Sequence, residues 1–372
     1  MTENRLIPLS IPDLRGKEAV YLTRCVKENW VSSAGPSVTE FEEKIAALTG
    51  RAHAVATSNG TCAIQLALVA LGVRPGDYVI VPDWSFAASA NAVYHAGATP
   101  IFVDISAESW TLDPAQLRDA LRHFSDQVRA VIVVDVLGHP AEMDELEVIC
   151  DEAAVPLVED AAGALGALYR GKPAGSFGTA ATISFNGNKV LTTGGGGMVL
   201  FDDPKLAAKA RHLSTQARVG ENYDYDMIGF NFRMPNINAA IGLAQLERLE
   251  EMIKKRRQIA SAYAECIAHR QDLIMMPQTD QATSNCWLSS VRLPSNDAAK
   301  SLVQYFRDRS IETRIFWSSL SRQLPYQTAP CHSYEMSQEL SGKVVSLPSS
   351  SLLTNTDLAR VTDALASWSL AG

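Results

Sequence analysis

Between residue 52 and about residue 205, short apolar runs alternate with stretches of helical period, and this alternation limits the fold more than any other feature. AHAVAT (52–57), DYVIVP (77–82), TPIFVDI (99–105), AVIVVDV (130–136) and VPLVEDA (155–161) read as strands. TCAIQLALVALG, ASANAVYHAG, the 113–123 stretch and MDELEVICDEAA lie between them with helical spacing. Near-continuous Val and Ile runs separated by helices predict a largely parallel sheet covered on both faces. Further on, Ala239, Leu243, Leu246, Leu249 and Ile253 recur every three or four residues and predict one long helix. On its polar side Glu250 and Glu251 stand four residues before Lys254 and Lys255, a supporting charge pattern. That helix leads into a smaller C-terminal region in which WLSSVRL and ETRIFW read as strands. The expected fold class is α/β, a large sheet domain followed by a smaller α+β one.

A chain of 372 residues with 47% hydrophobic and 20% charged content has room for two domains and the composition of a globular protein. No apolar run reaches about 18 residues. MTENRLIPLSIPDL has no apolar signal core, so neither membrane insertion nor secretion is expected. Six cysteines without CxxC or Cys/His spacing predict reduced thiols, no metal and a cytoplasmic location. The net charge of −8 argues against nucleic acid as a partner, although local positive charge can still hold an anionic substrate.

Four segments at strand ends carry candidate chemistry. TSNGTCA (57–63) sets Ser58, Asn59, Gly60 and Thr61 between a strand and a helix. Backbone N–H groups and a hydroxyl there suit a phosphate, and an ordinary capped turn uses the same residues. PDWSFAAS (82–89) offers Trp84 and Phe86 either as core or as a stacking surface. VEDAAG (158–163) puts Glu159 and Asp160 at the end of an apolar strand, where ligands of open α/β sheets collect. A carboxylate buried there needs hydrogen bonds or a cation, which a helix cap or a salt bridge also supplies. SFNGNKVLTTGGGGMVL (184–200) places Lys189 on a turn ahead of four consecutive glycines, whose freedom costs conformational entropy. Together, a phosphate cradle, a flat aromatic, a carboxylate and a lysine suit pyridoxal 5′-phosphate. That cofactor requires an anion at its pyridinium nitrogen and a lysine for the Schiff base. On this reading the glycines leave room for cofactor, substrate and a neighbouring chain.

SNGTCAIQLAL, GDYVIVPDWSFAASANAV, VEDAAGALGALYRGKPAGSFG, SFNGNKVLTTGGGGMV and IGFNFRMPNINAAIGLAQLE, in that order, resemble the sugar aminotransferase family. These are fold type I pyridoxal-phosphate enzymes, and the likeness runs from SIPDL to SLPSS. SFNGNK, TGGGGM, LSTQA and IETRIFW most resemble enzymes that aminate C4 of UDP-linked 4-keto-6-deoxy-N-acetylglucosamine. The resemblance implies a large domain over 1–250 on a mainly parallel seven-stranded sheet and a small domain over 251–372. It also implies a homodimer with shared active sites, L-glutamate as donor and a nucleotide-linked keto sugar as acceptor, for surface-glycan synthesis.

Residue by residue, Lys189 matches the Schiff-base lysine and proton carrier, and Asp160 the pyridinium partner. Phe86 matches the stacking ring, and Gly60, Thr61 and Ser184 the phosphate cradle. Asn231 matches an asparagine that reaches the phosphate of the neighbouring subunit. Arg314, Trp317 and Tyr326 fall in the segment resembling the sugar-side lining. Three positions depart from the family pattern. Gly163 replaces the usual Gln or Glu, which removes a polar contact and is expected to open space. No histidine lies between Trp317 and Tyr326, and NYDYDMIGFN lacks the histidine common before the matching element. Rival readings are a C3-keto or free keto sugar acid acceptor, and a non-catalytic regulator, against which Lys189 and Asp160 argue.

Overall fold

The computed structural model describes residues 5–369, so the first four residues of the N-terminal stretch and residues 370–372 lie outside the described residues. Seven strands build the central sheet: β1 (His53–Thr57), β2 (Tyr78–Pro82), β3 (Thr99–Val103), β4 (Val128–Val134), β5 (Leu157–Asp160), β6 (Ala180–Ser184) and β7 (Gly197–Phe201). Their order is β1-β7-β6-β5-β4-β2-β3. Strand β7 runs antiparallel to both its neighbours, and the remaining pairings are parallel. Val79, Ile80 and Val81 of the interior strand β2 are all fully buried, as a strand covered on both faces by helices requires. The carboxyl ends of β1, β2, β5 and β6 therefore open onto one edge of the sheet. Ser58–Thr61, Asp83–Phe86, Asp160 and Ser184–Lys189 follow from those ends.

The single long helix expected beyond the sheet is two helices, Asn236–Leu246 and Leu249–Ile267. Arg248 sits at the break with φ −123°, and its guanidinium bonds Asp13 at 3.1 Å and Glu251 at 2.9 Å. Apolar spacing runs on across the break because both halves bury a face against the same core. The expected pairing also differs: Glu251 holds Arg248, and the Lys255 amine donates to Asn355.

A second, antiparallel sheet comprises β8 (Ile274–Met275), β9 (Ser289–Arg292), β10 (Arg314–Phe316) and β11 (Val344–Leu347), in the order β8-β9-β11-β10. Its core takes in Ile7, whose backbone bridges Ile311, so the N-terminal arm packs with the C-terminal region. In return, residues 319–337 are fastened to the large sheet. Ser319 Oγ and the Ser321 amide donate to Asp83, just past β2, at 2.5 and 2.7 Å. The Met336 and Ser337 amides donate to Asp104, just past β3, at 2.7 and 2.8 Å. Each carboxylate thereby satisfies backbone donors that would otherwise be buried without partners. The six cysteines form no disulfide, and among the described residues no helix is long and apolar enough to cross a membrane.

Candidate active site

Asn59 caps the helix Gly60–Ala70, its Oδ1 accepting from the Cys62 amide at 2.8 Å. The amides of Gly60 and Thr61, in the first turn, have no intrahelical acceptor. Ser184, at the end of β6, closes on this turn. A Cβ at Gly60 would lie 2.8 Å from Ser184 Cβ and 3.1 Å from its Oγ, so the approach needs glycine. Two free amides at a helix start and a hydroxyl beside them form an anion seat.

Asp160 is buried at the end of β5. Its Oδ2 accepts from Ser89 Oγ at 2.7 Å and its Oδ1 from the Ala162 amide at 3.2 Å. Burial pushes the carboxyl up, while the Ser89 bond and the charge of Lys189 work against that rise. Ser89 lies in the quoted segment PDWSFAAS, but nothing in the sequence gives it a role, since its contact is with a residue of another strand. Three residues earlier, Phe86 leaves 61% of its surface exposed. Trp84 is instead fully buried, packed against Trp110 and Trp317 with ring centroids 5.6 and 5.2 Å away. Phe86 is thus the aromatic with a free face, and Trp84 is core.

Lys189 as a whole is only half-buried, yet the protein around its amine is dense. Burial lowers the amine to about 7, and the charge of Asp160 pulls the other way. Such an amine is partly neutral near physiological pH, as a nucleophile or proton carrier must be. Its Nζ stands 3.4 Å from the ring centroid of Trp287. That residue lay unremarked in the strand-like WLSSVRL.

Two expectations about space are corrected here. Two of the four glycines in the run, Gly196 and Gly197, do not leave room for ligands. Gly194 has φ +81°, a side chain at Gly196 would collide with Thr193 Oγ1, and one at Gly197 would collide with the Asn59 carbonyl. Gly197 lets its strand press against the phosphate turn, and Gly196 lets the turn after Lys189 close on Thr193 and Met234. Gly194 and Gly195 meet only ordinary contacts, Asn238 Nδ2 at 3.8 Å and the Ser58 carbonyl at 3.9 Å. Gly163 does not open space either. A Cβ there would lie 2.6 Å from Trp287 Cε3, because the indole already fills the volume.

The remaining candidates are spread more widely. Asn231 is exposed on an extended segment whose Phe232 carbonyl accepts from the Ser58 amide at 2.7 Å. Trp317 is half-buried beside Phe86, with centroids 6.5 Å apart. Arg314 is exposed on β10 and pairs with Glu312 at 2.9 Å. Tyr326 is buried, its hydroxyl donating to Asn91 at 2.6 Å and its ring stacked on Tyr94. Of the three sugar-side candidates, Trp317 is the one that touches Phe86.

A phosphate seat, a free aromatic face, a buried carboxylate and an amine lowered by burial, all at one sheet edge, define a pyridoxal-phosphate enzyme of fold type I. Residues 12–366 match the DegT/DnrJ/EryC1/StrS aminotransferase family. The chain is 37% identical to the putative pyridoxal phosphate-dependent aminotransferase EpsN of Bacillus subtilis (strain 168), over 97% of this chain and 95% of that protein. It is 35% identical to the GDP-perosamine synthase of Escherichia coli O157:H7, over 97% and 98%. The solved structure of S. venezuelae DesV in complex with a ketimine intermediate superposes with a TM-score of 0.89 at 31% identity, covering 95% of this chain and 94% of that one. The chain belongs to the DegT/DnrJ/EryC1/StrS family, and it is a pyridoxal-phosphate-dependent sugar aminotransferase. Its residues fit the cofactor group by group. The Gly60 and Thr61 amides with the Ser184 hydroxyl would suit its phosphate, the free face of Phe86 its ring, and the buried Asp160 carboxylate its pyridinium nitrogen.

Proposed function

We propose that the enzyme moves the amino group of L-glutamate to the C4 ketone of a nucleotide-linked 4-keto-6-deoxy sugar of the UDP-N-acetyl type, for surface-glycan synthesis. The observation that carries the transfer chemistry is the convergence of Lys189, the buried Asp160 and the Gly60 turn with Ser184 at one sheet edge, with the Lys189 amine lowered by burial against the pull of Asp160. Bound at this site, the cofactor supplies an electron sink for the donor's α-carbon. Lys189 would hold the cofactor through its Nζ and, when free, that amine would carry the proton the transfer requires. Asp160 holds the opposing charge, and Gly60, Thr61 and Ser184 fix the phosphate end so that the reacting atoms stay in register. The exposed face of Phe86 gives a planar surface for the cofactor ring, and Trp317 beside it lies toward the acceptor. Support for a nucleotide sugar comes from relatives named GDP-perosamine synthase, and for a glycan role from the spore coat polysaccharide biosynthesis protein SpsC of Bacillus subtilis (strain 168), 36% identical over 271 residues. The UDP and C4 assignments rest on the likeness of SFNGNK, TGGGGM, LSTQA and IETRIFW.

The test is incubation with glutamate and a panel of UDP- and GDP-linked 3-keto and 4-keto sugars, with the amino position of each product read by NMR. Amination at C4 of a UDP-linked sugar is expected. A product aminated at C3, or reaction with GDP-sugars alone, overturns the corresponding part of the proposal.

The active site is further proposed to be shared by two copies of the chain. Beside Asn231, Met227 and Ile228 are exposed, Ile228 by 90%, as are Tyr223 and Tyr225 on the adjoining hairpin. An apolar face of this kind is expected to be covered by a partner. If Asn231 serves the partner's phosphate, mixing excess Lys189→Ala chains with Asn231→Ala chains restores activity. One of the two sites in each heterodimer is then wholly native. No recovery after verified subunit exchange contradicts a shared site.

A further inference from the structure

Lys189 has a role in the proposed reaction, but the indole against which it rests has none so far. Trp287 is fixed from several sides. Its amide donates to Asn285 Oδ1 at 2.8 Å, and its carbonyl accepts from the buried Arg256 guanidinium at 2.8 Å. Its Nε1 donates to the carbonyl of Asn188, the residue just before Lys189, at 2.8 Å. Asn285 in turn donates to the Gly163 and Leu165 carbonyls at 2.8 and 3.0 Å, locking the segment to the loop after Asp160. The ring edge occupies the volume that any side chain at position 163 would need, and the ring face lies 3.4 Å from Lys189 Nζ. That separation is well inside the ~6 Å range of a cation–π contact.

We propose that Trp287 is a positioning residue for Lys189: its indole face is the seat of the free ammonium, and position 163 is glycine so that the indole can lie there. The inference rests on Lys189 being the amine of the proposed reaction. Lysine has a flexible four-carbon stem, so an amine released between the two halves of a transfer explores many positions unless something holds it. The π face attracts the ammonium and not the neutral amine. It therefore opposes burial, which pushes the amine down to about 7, and it acts in the same direction as Asp160, the charged group that bears on Lys189. Without the ring the amine should lose its proton more easily and wander further.

The test uses cofactor-free full-length protein. Brief acylation with limiting acetic anhydride across a pH series, with Lys189 acetylation quantified by mass spectrometry, gives the titration midpoint of that amine. Trp287→Leu should lower the midpoint by about half a unit to one unit, and Trp287→Phe should keep most of it. In the loaded enzyme Trp287→Leu should slow the donor half-reaction ~10-fold with little change in KM, while Trp287→Phe rescues it. Gly163→Gln should destabilise the wild-type chain and cost far less in the Trp287→Leu background, since the obstructing ring is gone. Should Trp287→Leu fail to fold, biosynthetic replacement of tryptophan by mono-, di- and trifluorotryptophan keeps the shape and drains the ring face. The Lys189 midpoint then falls step by step with fluorine number. A midpoint that does not move in the leucine variant or across the fluorinated series, or a Gly163→Gln cost equal in both backgrounds, overturns the proposal. Peptide mapping of the borohydride-reduced holoenzyme separates the two levels. A label on another lysine defeats the assigned role of Lys189, whereas an unmoved midpoint with the label on Lys189 defeats only the role of Trp287.

Discussion

Lys189→Ala is expected to lower turnover by at least ~10⁴-fold, since one side chain supplies both the covalent anchor and the proton carrier. The folded protein should still take up the cofactor reversibly, because the phosphate seat and Asp160 are untouched. Turnover with glutamate and the keto sugar, together with cofactor retained after gel filtration, checks both halves. Activity within ~100-fold of wild type would take the proton-carrying role away from Lys189. Stability should move in the opposite sense. The amine titrates at about 7 in the folded chain against an ordinary value of 10.5, so below 10.5 the unfolded chain binds a proton that the folded chain lacks. Cofactor-free wild type therefore loses stability as pH falls from about 10.5 to 7, and Lys189→Ala removes that slope. Thermal melts of the two cofactor-free proteins at pH 7 and pH 10 should show the alanine variant gaining on wild type at the lower pH.

Asp160→Asn is the second large effect. The amide keeps the shape of the carboxylate, with its carbonyl still able to accept from Ser89 Oγ. It loses the charge that stabilises a protonated pyridinium. A fall in rate of at least ~100-fold is expected, corresponding to ~3 kcal/mol of lost electrostatic stabilisation. Without cofactor the same change should be neutral or stabilising, because a buried carboxyl pushed up by desolvation burdens the folded state once it ionises. Cofactor should therefore raise the Tm of wild type more than that of Asp160→Asn. Near-normal turnover in the asparagine variant would mean that Asp160 merely caps the Ser89 and Ala162 donors.

Five of the seven strands were legible because they are buried on both faces and read as apolar runs between helices. AATIS and GMVLF, flanking the Lys189 turn, carry too little Val and Ile to stand out. The segments assigned to the cofactor stood out as candidates because each follows a strand within a few residues. Features set by contacts between distant segments left no such mark. The helix break at Arg248 is hidden because apolar spacing continues through it. Ser89 and Trp287 act on Asp160 and Lys189 through contacts made only after folding, and local pattern carries no sign of either. The glycines were misread for a related reason. A glycine that admits a ligand and one that admits a neighbouring backbone are identical in sequence, and at Gly197 the neighbour is the Asn59 carbonyl. Gly163 is the same case with a side chain as the neighbour, where a vacancy inferred from one position is filled by an indole contributed from another.

Reduction of the holoenzyme with borohydride, followed by digestion and mass spectrometry, tests most directly whether Lys189 carries the cofactor at this sheet edge. The reduced cofactor should be found on the peptide containing Lys189 and should be absent from Lys189→Ala treated in the same way. Its recovery on any other lysine, with the Lys189 peptide unmodified, would contradict the assignment of the site.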